Sequence, residues 1–526
     1  MVKGILDFAV VAIYMVAMVL IGVHFRRRQT STEKYFVANR SIPGWAAGMS
    51  IFAALISSVT FIAYPGSAYG GDWSLLTPGF AVPIVLVLVA FVMIPFFRRV
   101  VGMSAYEYFE RRFSYGTRLY GSIAFSFSHF SKMGFVFYLL ALTIESMTGW
   151  PVDLVIVISG LVTIFYTLIG GLEAVIWTDV VQGFILWAGI VICLSFLLFV
   201  PPGGPSAVLG LAWENSKYGL GSLDLDFTKA SVIVLMLYGL SWNVQKYSID
   251  QTIVQRYLVA KSDRAALRGV ALGGLLCIPV WTLFMLIGTC VWSFYRLTGE
   301  ALPAGIRADQ VFPHFLATQL PPGLSGLFMA SLLAAAMSTL SSDLNCLSAV
   351  AVEDVYRRIK RTATDQMRLA MGKKVVLVCG VLAILIAEVL AHNKGSALDL
   401  WFTVTSIVAG GLAGLFLLAF LSVRANVQGA YIGIVVSLIF TGWATLTMSK
   451  NQVIDMGWLN FPLHEYMIGV IGHVLVLVVG YIASLFFPHD RSKAGMTVWG
   501  LFKAGKAARL TAEAPAEQPV RFGTGR

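Results

Sequence analysis

Charge is scarce in this chain. Only 12% of its 526 residues are Asp, Glu, Lys or Arg, against 58% hydrophobic residues. No water-soluble domain of this size keeps that balance, because its surface alone would demand more polar side chains. The mean hydropathy of +0.79 instead places the chain in a bilayer as a polytopic protein. Cysteine is also sparse. The five residues Cys193, Cys277, Cys290, Cys346 and Cys379 lie in or beside apolar segments without metal-ligand spacing, so neither a disulfide framework nor a zinc site is expected. Strand alternation is lacking, which excludes a β architecture. No nucleophile–base set or metal motif points to an enzyme, and no filter-like loop or ring-forming charge motif points to a channel. The first apolar run has neither a basic n-region nor a small-residue cleavage site, so no cleavable signal is expected.

What the chain has is apolar length. Runs long enough to span fall near 5–25, 43–72, 78–97, 119–148, 152–170, 176–200, 230–250, 266–294, 322–352, 373–391, 397–421, 428–447 and 466–487, which predicts about 13 transmembrane helices. The net charge of +11 would suggest nucleic acid in a soluble protein. Here Lys and Arg gather in alternate loops: Arg26–Arg28 with Lys34 and Arg40, then Arg98–Arg118, Arg256–Arg268 and Arg357–Lys374. The positive-inside rule predicts an outside N-terminus and a cytoplasmic tail, as an odd helix count requires. Residues 1–42 then hold a peripheral first helix and a cytoplasmic loop, and 488–526 form a disordered tail. The external loops at 201–229 and 295–321 have room for short surface helices.

One stretch carries polar chemistry where a span should be apolar. Trp45 to Gly71 is interrupted by Ser50, Ser57, Ser58 and Thr60, and loosened by Pro65, Gly66 and Gly70. A helix in hydrocarbon keeps such weak points only where protein or a water-filled cavity surrounds them. Hydroxyls and freed carbonyls beside a helix break are hard oxygen ligands that suit a small cation. Ala334 to Asn345 carries the same chemistry, with Ser338, Ser341 and Ser342 on one helix face, Thr339 beside them and three alanines permitting close approach. The competing reading of each stretch is helix–helix packing through hydroxyls. Residues 230–250 are likewise polar in the middle, with Ser241, Asn243, Gln245, Lys246 and Asp250. If 43–72 and 230–250 each open a five-helix half, the halves are 43–200 and 230–421. They enter from opposite sides, and the helices of 422–487 are peripheral.

Five motifs in order give the chain a family resemblance: GWAAGMSIFAALISSVTF (44–61), SAYEYFERRF (104–113), IGGLEAVIWTDVVQG (169–183), DQTIVQRYLVAKS (250–262) and AAAMSTLSSDLN (334–345). Across about 5–487 the chain resembles the solute:sodium symporter family. By eye it is closest to the bacterial sialic acid symporters and more distant from the sodium–glucose group. The resemblance implies an all-α, leucine-transporter-like inverted repeat of five plus five helices with three peripheral ones. It also implies a sodium site made by carbonyls of Ala53, Ile56 and Ala335 and hydroxyls of Ser338 and Thr339. The second sodium of some members maps to Asp179, Ser338, Ser341 and Ser342. The alternative for Asp179 is an interfacial carboxylate that caps its helix.

Substrate contacts are less uniform. Ser57, Ser58, Thr60, Lys132, Asn243 and Lys246 are the candidates. Where sialic acid members use an arginine for the substrate carboxylate, this chain has Lys132, and a glutamine of that pocket aligns with Gly79. The sugar group's lysine and glutamine align near Leu276 and Phe402. An ammonium as deep as Lys132 or Lys246 costs on the order of 3 kcal/mol, so each needs a partner or a wet cavity. Asp250, Asp343 and Glu145 are the available carboxylates, and Asp343 replaces a residue that is small or apolar in the family. Tyr69, Trp73, Phe80 and Trp242 are candidates to shelter a solute. His129 is expected to be a packed core histidine, and His473 to lie outside the core.

These features predict a multi-pass plasma (inner) membrane symporter that imports a small polar solute with Na+, favouring a sugar acid or other carboxylated sugar. A neutral sugar, polyol, amino acid or monocarboxylate is the alternative. From another class, a proton-coupled transporter or a non-transporting transceptor remains. The partners are the solute, sodium ions and the lipid bilayer, not nucleic acid.

Overall fold

The computed structural model describes residues 4–392, 407, 410–448, 452–488 and 490–500. Among these every regular element is helical. The chain runs through α1 (Ile5–Phe25), α2 (Gly44–Leu55) and α3 (Ser58–Gly70), then a bent helical run from Ser74 to Val100. It continues through α4 (Tyr115–Thr148), α5 (Val152–Phe199), α6 (Val232–Ser248), α7 (Gln251–Val259) and α8 (Asp263–Thr298). The last elements are α9 (Leu324–Val350), α10 (Asp365–His392), α11 (Leu412–Leu421), α12 (Val427–Thr447) and α13 (Tyr466–Leu485). Among the described residues eight helices are long and apolar enough to cross a bilayer, and the bent pair α2–α3 makes nine. Of the four remaining expected spans, three fall on the Ser74–Val100 run, α6 and α11, and the fourth is accounted for by α5, which joins the runs 152–170 and 176–200. Much of the run at 397–421, including Phe402, lies outside the described residues.

Two glycine features shape the bundle. Gly171 interrupts α5 at φ +57°, and an added Cβ would stand 2.8 Å from Tyr35 and 2.9 Å from Gln29. Only glycine takes that conformation without strain, which is why two apolar runs are joined without a loop. Gly44 and Gly48 on α2 meet Gly269 and Gly273 on α8. A Cβ on Gly48 would be 2.7 Å from the Gly269 carbonyl, and one on Gly273 would be 2.6 Å from that of Gly48. Small residues four apart on both faces let the backbones touch, the usual substitute for hydrophobic driving force in lipid.

The central helix is α9, every residue of which from Phe328 to Val350 is buried. It packs against α5, α1, α4, α10 and α2. Asp7 of α1, fully buried, fixes its start: Oδ1 accepts from the backbone N–H of Gly323 (2.8 Å) and Gly326 (2.6 Å). A carboxylate there satisfies orphan N–H groups and complements the positive end of the helix dipole. The two loops expected to be external carry short helices, Gly204–Glu214 and Ala308–Thr318, and the second packs on α3.

Candidate functional site

The polar stretch at 45–71 is a broken helix. α2 and α3 meet at 60° across Ile56 and Ser57, both with extended backbone (Ile56 φ −97°, ψ 114°). The break follows from the residues. Ser57 starts α3 as its N-cap, with its N–H 3.4 Å from Thr60 Oγ1, so Ser57 N–H no longer serves the Ala53 carbonyl one turn back.

α9 faces that freed carbonyl. Ser338 Oγ donates to Ala53 O at 2.9 Å and lies 3.2 Å from Ala335 O, and Thr339 Oγ1 donates to Ala335 O at 3.1 Å. Four of the five expected sodium-site residues are thus linked oxygen to oxygen, and the fifth, Ile56, is buried in the break. Hard neutral oxygens converging without a fixed charge suit a monovalent cation better than a divalent one.

Of the second expected set, Asp179 and Ser342 meet at Arg256, whereas Ser338 and Ser341 bond elsewhere. Asp179 Oδ2 accepts from Ser50 Oγ at 2.5 Å and from Arg256 at 3.0 Å, and both ionic side chains are 0% exposed. Arg256 also donates to Ser50 Oγ (2.8 Å), Ser342 Oγ and the Thr252 carbonyl. Ser341 Oγ donates to Ser338 O at 3.2 Å. The charge pattern assigns Arg256 to a cytoplasmic loop. It lies instead on α7, whose nine residues are all buried. Asp179 is therefore an ion-pair partner rather than a helix cap.

Beside the break is a cavity of about 340 Å³. Ser57, Thr60, Lys132, Asn243 and Lys246 line it, five of the six candidate substrate residues, together with Thr339 and Gly79. Ser58 does not: its hydroxyl turns away and donates to the Val136 carbonyl of α4 at 3.1 Å. Of the four sheltering aromatics only Trp242 lines the cavity. Trp73 instead bonds Thr289 Oγ1 at 2.9 Å, and Phe80 is 40% exposed. The aromatic wall is Tyr64, Tyr238, Trp242, Trp281 and Tyr466. Tyr466 belongs to α13, a helix expected to be peripheral, and stacks on Tyr238 at 4.4 Å between centroids.

Both cavity lysines have carboxylate partners. Lys132 Nζ is 2.8 Å from Asp343, and Lys246 Nζ is 2.7 Å from Asp250. Glu145 takes no part in either pair. His129 is buried as expected, yet it is no mere packing residue. Its Nδ1 lies 2.7 Å from Asp343 and its Nε2 3.2 Å from Asp250. The spacing of His129 and Lys132, one turn apart on α4, was the available signal.

A broken helix crossing a buried, hydroxyl-rich partner beside a mid-span cavity is the architecture of an ion-coupled membrane transporter. The chain belongs to the Sodium:solute symporter family, whose sequence profile matches residues 35–437. A sodium/sialic acid symporter of Proteus mirabilis is 33% identical over 489 residues, covering 92% of this chain and 96% of its own. One of Aliivibrio fischeri is 32% identical over 491 residues, covering 93% and 94%. A solved Na+-coupled sialic acid symporter, substrate-bound and outward-open, superposes with a TM-score of 0.85 at 32% identity, covering 92% of this chain and 99% of that one. The leucine-transporter-like, all-helical fold class is the one expected. A nucleobase-cation-symport-1 family transporter shares the fold alone, at 16% identity and a TM-score of 0.55 over 88% of this chain and 97% of its own.

Proposed function

We propose that the protein imports a carboxylated sugar of the sialic acid class, driven by sodium entering at Ala53, Ile56, Ala335, Ser338 and Thr339. The observation that carries this reading is Thr339, whose hydroxyl belongs to the oxygen cluster while its side chain lines the solute cavity. Ion and solute then meet on one residue, the arrangement that makes their affinities interdependent. The solute is an anion because the charged residues that line the cavity are two lysines, while their counter-carboxylates are covered. Aromatic faces such as Trp242 and Trp281 suit a sugar ring. The relatives that carry sialic acid with sodium support the same class. Asp179, Ser341 and Ser342, with Ser338, are the second ion position, shared with the Arg256 guanidinium. The inverted repeats are 43–200 and 230–421.

Uptake into proteoliposomes of labelled sialic acid, neutral sugars and monocarboxylates, with and without a sodium gradient, tests the whole reading. Ser338→Ala and Thr339→Ala should each raise the sodium concentration for half-maximal uptake roughly tenfold, about 1.5 kcal/mol for a polar contact to a charged group. Transport that runs equally well in choline buffer would sink the sodium site.

We infer further that the N-terminus lies outside and the tail inside, in the plasma membrane. The five native cysteines are buried, which leaves a quiet background for thiol labelling. Ser206→Cys should react with an impermeant reagent from outside, and Lys360→Cys only after permeabilisation. Reversed labelling overturns the orientation.

A further inference from the structure

This inference rests on the anionic-solute reading above. Behind the cavity wall runs a hydrogen-bonded chain of five side chains drawn from three parts of the fold. Lys132 and His129 lie on α4, Asp343 on α9, and Lys246 and Asp250 flank the break between α6 and α7. The order is Lys132–Asp343–His129–Asp250–Lys246, with successive contacts of 2.8, 2.7, 3.2 and 2.7 Å. The three inner groups are buried, whereas both lysines line the cavity. Asp250 is fixed from its other oxygen by the Thr252 backbone N–H at 2.9 Å, as the N-cap of α7. Asp343 lies in the wholly buried stretch Phe328–Val350 of α9.

A planar ring with a nitrogen at each end sets the separation of the two carboxylates, and each carboxylate sets the position of one ammonium. Left alone, a lysine is a flexible point charge on a four-carbon stem. An ammonium has three N–H donors. Lys132 directs one at Asp343 Oδ1 (2.9 Å) with Oδ2 in ionic contact at 2.8 Å, and Lys246 directs two, at Asp250 (2.7 Å) and Thr252 Oγ1 (3.2 Å). At least one donor on each is left for a solute. We propose that His129 is a positioning residue that locks Lys132 and Lys246 into a two-point anion clamp. The cavity then selects a carboxylate with a hydroxyl on the neighbouring carbon over one that lacks that hydroxyl.

Fluorescence of Trp242 and Trp281, both on the cavity wall, reads binding to the purified protein in saturating sodium. The probes are N-acetylneuraminate, its 2-deoxy analogue, which keeps the carboxylate and loses the adjacent hydroxyl, and neutral N-acetylmannosamine. Wild-type protein should prefer the first over the second at least tenfold. His129→Phe keeps a ring beside Phe125, whose centroid is 4.0 Å from that of His129, but severs both links. It should erase the preference while leaving sodium-dependent thermal stabilisation in place. His129→Gln, retaining one link, should fall between, and it decides the matter if the phenylalanine variant does not fold. A purely structural histidine would change all probes together. Wild-type protein that binds carboxylates without the preference, or a folded His129 variant that keeps it in full, overturns the clamp alone. Wild-type protein that binds no carboxylate overturns the function reading and the clamp with it.

Discussion

Arg256→Met should nearly abolish folded protein. The guanidinium is wholly buried and is shared among Asp179, Ser50, Ser342 and the Thr252 carbonyl, so four parts of the fold converge on it: α2, α5, α7 and α9. Removing it leaves Asp179 charged, dehydrated and opposed only by the Ser50 hydroxyl. Breaking one side of a buried pair costs roughly 3–5 kcal/mol, comparable to the whole stability margin of many proteins. Arg256→Lys should recover little, because one ammonium cannot reproduce a planar fork of five donors. The double change with Asp179→Leu should recover much of the folded yield, since apolar replacement of an entire buried pair is close to neutral. Monodisperse yield after detergent extraction, with thermal unfolding of what survives, reads all four proteins. A stable Arg256→Met single mutant would contradict the account.

Arg256 also shows where the sequence stops being legible. In DQTIVQRYLVAKS the polar residues are too frequent for a span, so the segment reads as a charged loop. Its burial depends on partners tens of residues away: Asp179, Ser342, and for the neighbouring Gln255 the Phe36 carbonyl at 2.7 Å. No local pattern encodes such contacts. The same holds for the segment Glu107–Arg112, where Arg112 is buried and donates to carbonyls of Ala419 and Ser422. The broken helix was legible because its signal is local: serine pairs, a capping threonine and helix-loosening glycines inside an apolar run. The convergence of Ala53 with Ser338 was expected from the family resemblance rather than from the chain's own pattern. Ser58 illustrates the limit within a legible motif. Adjacent hydroxyls cannot all face the cavity, and only the direction of the α3 axis decides that Ser57 does while Ser58 bonds α4.

The depth of Lys132 was equally legible, but its two roles were not separable from sequence, and the geometry joins them. Its side chain is one-third exposed, lines the cavity, and pairs with a carboxylate that is 1% exposed. Lys132→Met should therefore do two things. It should lower stability, because Asp343 keeps only His129 as a partner. It should also weaken carboxylate recognition by about 3 kcal/mol, on the order of 100-fold, the usual cost of truncating one member of a desolvated charge contact. The sodium dependence of thermal stability should persist, since Ala53, Ala335 and Ser338 are untouched. Lys132→Arg should keep part of the uptake with altered ranking among acids, its fork replacing a point charge. The double mutant Lys132→Met/Asp343→Leu separates the roles. With both charges gone the stability should return, but acid binding should not, because nothing at that position can meet the carboxylate. Thermal stability and solute affinity measured side by side on the two single mutants and the double mutant give the answer. A stable double mutant that binds N-acetylneuraminate as tightly as the parent would show that Lys132 is only a structural partner of Asp343 and that the anion is held elsewhere.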